Sequence, residues 1–182
     1  MKVDYPQLPF PRGKTYKQAI SGITPDSTFG AQLEGRVYEV FDPTYQVPIK
    51  LRVVRNATGG NLTLNKQCVG FYSASTGYTG LAARVIGING DGDHVKPVDF
   101  VYNGVVAEPN DLFYVIDEGP AVVNKTTGSG AELSAGAKAY ANSSGVISSS
   151  VSSGVPVGIV AEAAGDSAST VRLYVTGGIR TA

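Results

Sequence analysis

One histidine, one cysteine, one methionine and no tryptophan occur in the 182 residues of this chain. Those shortages remove most of the usual chemistry. A lone Cys68 cannot close an internal disulfide, and a small buried hydrophobe is the expected role for it. A lone His94 supplies the one side chain that titrates near neutral pH without perturbation. Charge of one sign is also missing, because fifteen Lys and Arg balance fifteen Asp and Glu. A duplex-binding domain usually carries a positive footprint, so no nucleic-acid partner is expected. No run approaches the roughly 18 apolar residues of a membrane-spanning helix. Met1-Lys2-Val3-Asp4-Tyr5-Pro6 lacks the apolar core of a secretory signal. A protein made in a cytoplasm, with no membrane partner, is the expectation.

What is abundant is punctuation. The 23 glycines and 10 prolines work against long helices and separate short apolar runs. Val37 to Phe41 is one strand candidate. Ile49, Leu51 and Val53 alternate with Lys50 and Arg52, the period of a half-buried strand. Leu62 to Leu64, Val69 to Tyr72, Leu81 to Ile88, Val95 to Val101 and Gly104 to Ala107 follow. Leu112 to Ile116 and Ala121 to Val123 read as two strands parted by a turn at Glu118-Gly119-Pro120. Pro156 to Ala163 and Val171 to Val175 close the series. Ala131 to Tyr140 reads as a loop entering a strand. Ser143 to Gly154 reads as a polar loop facing solvent. Short strands with turns every eight to twelve residues predict an all-β fold. The expected form is a compact barrel or sandwich of short antiparallel strands over residues 36–182, in one domain.

Residues 1–35 differ. Pro6, Pro9, Pro11 and Pro25 bias the backbone toward extended conformations. Yet the segment carries Tyr5, Leu8, Phe10 and Tyr16, which disordered tails usually lack. An extended N-terminal arm fits both features. Such an arm either packs along its own domain or reaches a neighbouring subunit. The second reading makes Tyr5, Leu8, Phe10 and Tyr16 anchors on a neighbour.

Few groups invite a chemical reading. Asn89, Asp91 and Asp93 have the alternate spacing of the first three ligands of a calcium loop. Counting from Asn89, position six is His94 instead of Gly and position twelve is Phe100 instead of Glu. A turn between strands accounts for the same residues. His94 has no Gly-x-Ser-x-Gly nucleophile elbow to serve. No catalytic, metal or cofactor-binding residue is assigned, no cofactor is implied, and no enzymatic activity is expected. The Asn-x-Ser/Thr triplets at Asn56, Asn61, Asn124 and Asn142 carry little weight in a chain rich in Ser and Thr.

One set of motifs is more specific. Pro109-Asn110-Asp111-Leu112-Phe113-Tyr114-Val115 leads into Glu118-Gly119-Pro120-Ala121-Val122-Val123. Ala131, Leu133, Ala135, Gly136 and Tyr140 follow, then Gly158, Val160, Glu162, Ala163 and Ala164, then Val171-Arg172-Leu173. In this order the stretch from about Val98 to Val175 resembles the capsid-cement, or head-decoration, proteins of tailed phages. Ala137 departs from the acidic residue often found there. The resemblance implies a β-barrel or β-tulip, synthesis in the host cytoplasm, and a place on the outer capsid surface of the virion. It implies the major capsid protein as partner and a homo-oligomer, a trimer or else a dimer. A fibre or host-recognition module is the alternative for a β-rich, chemically spare phage protein.

Overall fold

The computed structural model describes residues 8–21, 32–71, 84–87, 94–151 and 156–176. Eleven strands form its framework: β1 (Val37–Asp42), β2 (Val47–Asn56), β3 (Leu62–Leu64), β4 (Cys68–Phe71), β5 (Arg84–Gly87), β6 (His94–Pro97), β7 (Val105–Ala107), β8 (Leu112–Asn124), β9 (Lys138–Ala139), β10 (Gly158–Val160) and β11 (Thr170–Val175). The helix α1 (Tyr16–Ala19) has four residues. The all-β class is therefore as expected. The main sheet runs β6-β4-β5-β2-β8-β11-β10-β9, with β1 beside β2 and with β3–β7 as a separate ribbon. Pairing is antiparallel except between β2 and β5. Among the described residues the named strands close no barrel, although a single bridge between Val98 and Val115 returns the end of β6 to β8.

β8 joins the two halves of this sheet. It is one strand of 13 residues, where the sequence predicts two strands and a turn. Leu112 to Glu118 pairs with β2, and Gly119 to Asn124 pairs with β11. The register shifts between Lys50 and Leu51, which face Glu118 and Ile116 respectively. Asp117 is the extra residue of this bulge, and bulges bend a strand and increase its twist. Gly119 follows with φ 117°, and a Cβ there would lie 3.0 Å from Ile49 Cγ2. The Glu-Gly-Pro signal thus marks a bend inside a strand, a known use of glycine in sheets.

The bulge is held by charge. Arg52 grips Asp117 with two bonds, Nε to Oδ1 at 3.0 Å and Nη2 to Oδ2 at 3.1 Å. Lys96 of β6 donates to the carbonyls of Asp117 and Thr176, at 2.9 and 3.0 Å. One buried ammonium so ties β6 to the bulge and to the end of β11. Ion pairs on planar guanidinium forks are among the stronger polar contacts.

The core follows the alternation read in β2, with Ile49, Leu51 and Val53 buried and Lys50 and Arg52 on the opposite face. Ala121, Val123, Leu173 and Val175 continue the buried layer into the second half. Cys68 is fully buried, and burial pushes its thiol well above the ordinary range. The serine-rich stretch departs from expectation. Ser143, Ser144, Ser149 and Ser150 are exposed, but Ile147 is fully buried and bridges Lys125 and Ala141. A single apolar residue draws the segment inward, and Ser152 to Val155 lie outside the described residues.

Gly158 is the tightest position. A Cβ there would meet the Tyr174 carbonyl oxygen at 2.5 Å and its carbon at 3.1 Å. Both are backbone atoms of the paired strand and cannot step aside alone. Gly158→Ala should cost about 1–3 kcal/mol in thermal or urea unfolding. Gly165→Ala, with nothing within 4 Å of its Cβ, should leave the midpoint almost unchanged.

Candidate functional site

Residues 8–21 form a strap that lies on the body of the domain. Its local shape comes from Thr15 and Gln18, three residues apart. The Thr15 hydroxyl accepts from Gln18 N–H at 3.4 Å, and the Gln18 side chain accepts from Thr15 N–H at 3.2 Å. This reciprocal cap starts α1. The four-residue helix is a feature that the proline-rich reading of the arm missed, although Thr-x-x-Gln was its visible signal.

The groove beneath the strap reads its backbone. Tyr114 Oη accepts from Phe10 N–H at 3.3 Å and donates to Phe10 O at 2.8 Å. Tyr102 Oη donates to Lys14 O at 3.1 Å and accepts from Tyr114 N–H at 3.1 Å. Asp111 Oδ1 accepts from Lys17 N–H at 2.9 Å. The Phe10 ring stacks on Tyr114, with centroids 4.2 Å apart and planes 17° apart, and meets Tyr16 edge-on. Such pairs add roughly 0.5–1.5 kcal/mol beyond the area they bury.

Arg12 is the electrostatic centre. Its Nε and Nη2 donate to the two oxygens of Asp99, both at 2.7 Å, and Nη1 donates to Asp42 Oδ2 at 2.7 Å. The guanidinium also lies 5.3 Å from the centroid of Phe100, whose ring meets Tyr45 edge-on. Both carboxylates are buried. Burial works against the Arg12 charge, but the bonds and field of Asp99 and Asp42 outweigh it and raise its pKa. One cation cannot satisfy two buried anions equally. Burial dominates at Asp99 and raises its pKa despite Arg12. Burial also opposes the charge of Asp42, yet Arg12 and the N–H groups of Tyr45 and Thr44 hold this carboxyl below its ordinary value. Burial raises the hydroxyl pKa values of Tyr102 and Tyr114, so both keep their protons to donate.

Of the four arm residues singled out from sequence, three lie among the described residues. Phe10 and Tyr16 are 3% and 8% exposed and lie in the core of their own chain. Leu8 is half-buried against that core. Tyr5 lies outside the described residues. Described in this way, the arm packs on its own domain, and it contains a helical turn where a wholly extended arm was expected. Arg12, Asp42, Asp99, Tyr102 and Tyr114 were not picked out. They are far apart in sequence, and only the fold assembles them.

A second feature faces outward. Across β9, β10, β11 and β8 the register aligns Lys138, Ile159, Tyr174 and Pro120 in one row. Ile159 is 42% exposed and Tyr174 51% exposed. Val122 and Arg172 form the next pair on that face, and Arg172 makes a surface ion pair with Glu162 at 2.9 Å. Beside it an open groove of about 390 Å³ is lined by Tyr45, Ala163, Ala164, Gly165, Ala168 and Thr170, among others. Its walls combine these small side chains with Glu162 and Arg172.

Among the described residues no group of three or more His, Cys, Asp and Glu is placed to hold a metal ion. The Asn89-Asp91-Asp93 turn and the His94 side chain lie outside the described residues. No protein-family model, curated protein or solved structure matches the chain.

Two measurements test the strap site. Tyr114→Phe strands a buried N–H and a carbonyl of Phe10, so strap docking should weaken by about 1–3 kcal/mol. Faster tryptic cleavage after Lys14 and Lys17, with an intact body, is the expected reading. For Asp42, the carboxyl is depressed in the folded state, so its contribution is complete above the unfolded value near 3.9 and is lost as pH falls through the folded value. Asp42→Asn should lower the thermal midpoint at pH 7 and flatten its decline in acid. An unchanged acid limb counts against the assignment.

Proposed function

We propose that this is a structural virion protein of a tailed phage, a cement or decoration protein that clads the outer surface of the head and binds the major capsid protein. The observation that carries the reading is the outward row Ile159, Tyr174 and Pro120 on a sheet pinned from behind. A partly apolar sheet face of this kind suits protein contact, and tyrosine is enriched at such surfaces. The residues behind the family resemblance support it further. Those of Leu112 to Val123, Gly158, Val160 and Val171 to Leu173 lie in β8, β10 and β11, which are neighbours in one sheet. The same segments therefore build the proposed contact face.

Stabilising a shell needs many modest contacts held on a rigid body, because linked contacts multiply. Near-zero net charge serves this role, since closely spaced copies then repel one another little. The chemistry needed is only burial of apolar area, about 1.5–3 kcal/mol for each large side chain.

Heads assembled from the cognate major capsid protein, mixed with this protein and imaged by cryo-EM, should carry it at a copy number comparable to that of the shell protein. Tyr174→Glu with Ile159→Asp should lower the affinity by about 10- to 100-fold while leaving the unfolding midpoint near wild type. Protein that stays in the supernatant, or only a few copies per particle, would overturn the proposal and point to a tail or fibre component.

A further inference from the structure

We infer that the strap groove also accepts the strap of a second copy of this chain, so that neighbouring molecules exchange straps when they are held close together. The recognition is complete within the strap itself. Phe10, Arg12, Lys14 and Lys17 supply the polar and ring-stacking contacts with the body, Leu8 and Tyr16 add apolar packing, and none of these contacts depends on which polypeptide the strap continues into. The groove is therefore a receptor for a short segment whose Phe10 ring stacks, whose Arg12 charge is shared by two carboxylates, and whose backbone is read at residues 10, 14 and 17.

The second ground is the position of the two ends of the connection. At the strap's end, Lys17 Nζ donates to Glu108 Oε2 at 3.2 Å and to Pro109 O at 3.0 Å. Ser21 lines a shallow groove with Asn61, Val106, Glu108 and Asp111. Where the body begins, Glu34 pairs with Arg55 at 2.6 Å, and Arg55 Nη1 donates to Asn110 O at 2.9 Å. Both ends thus sit at the corner formed by residues 108–111. Ten residues, 22–31, join them, and ten residues can reach up to about 33–36 Å. That contour exceeds what two ends at one corner require. It is long enough to carry the strap to an adjoining molecule.

The balance follows from concentration. A link of ten residues keeps its own strap close at hand, at an effective concentration on the order of millimolar. In dilute solution the strap therefore docks on its own body. A reciprocal exchange leaves no groove empty and loses no contact, so it competes once copies reach a similar density. This step rests on the shell reading only for where that density arises in nature, since a clad surface supplies it. Exchange would turn a layer of separate copies into a linked one without any new surface.

The test uses wild-type protein. Lys17 and Glu108 are both solvent-accessible, and a carbodiimide joins such a pair as an amide with no added atoms. Equal amounts of ¹⁴N and ¹⁵N protein are incubated together at about 1 mM and at about 1 µM, then coupled and digested, and the Lys17–Glu108 peptide pairs are read by mass spectrometry. At the higher concentration roughly a tenth or more of the pairs should carry mixed isotopes, and at the lower almost none. Pairs of a single isotope at both concentrations would overturn the inference. Absence of any Lys17–Glu108 link would overturn it too, because strap docking itself would then be missing. No shell is present in this assay, so its failure and the failure of head binding are separate results.

Discussion

The bulge in β8 is the constraint on which the architecture depends. Asp117 is an added residue in a strand that serves two halves of the sheet, pairing first with β2 and then with β11. Sheet side chains alternate with a period of two, so one extra residue changes which of the following positions point inward. Leu112, Tyr114 and Ile116 are buried on one side of it, and Ala121 and Val123 on the other. The carboxylate and carbonyl of the same residue are then held by Arg52 and Lys96. A local irregularity and a buried charge network are thus one device. It aims Pro120 and Val122 outward alongside Tyr174 and Arg172.

The strap depends on the same strand from its other end. Tyr114 lies in the first part of β8, with its ring under Phe10 and its hydroxyl on the Phe10 backbone. Arg12 completes the attachment by sitting between Asp42 at the end of β1 and Asp99 after β6. A buried ion cluster of this type is weak evidence of net stability, because desolvation opposes the attraction. What it provides is position. Two carboxylates from distant parts of the chain accept one guanidinium in one arrangement, so the strap has a single register on the body.

Much of the strand content was legible in the sequence, and the reasons differ from place to place. Ile49, Leu51 and Val53 alternate cleanly with Lys50 and Arg52 because β2 has one buried and one accessible face there. Asn103-Gly104 marks a turn because Gly104 takes a left-handed φ of 71°. Glu118-Gly119-Pro120 was misread because glycine and proline signal a bend without saying whether the strand ends. Pairing across the bend, which is a long-range property, decides that. Ile147 was lost within a run of serines, since composition averages over a single buried side chain. In the arm, Phe10 and Tyr16 stood out as anchors, but apolar residues do not state which surface they will cover. The Arg12 cluster had no local signal at all. Its members are drawn from the strap, from β1 and from the segment after β6.

Because the groove recognises main-chain atoms at residues 10, 14 and 17, the exposed side chains along the strap, such as Pro11 and Lys14, are not inspected. Phe10, Arg12 and Tyr16 carry the bulk of the discrimination, and the exposed Pro11 and Lys14 are free to drift as sequences diverge. Two descendants of this chain that differ at many such positions would still fit one another's grooves. Under the proposed shell role, related chains that meet in one cell would then build layers of mixed parentage, and barriers between lineages would have to arise elsewhere in the molecule.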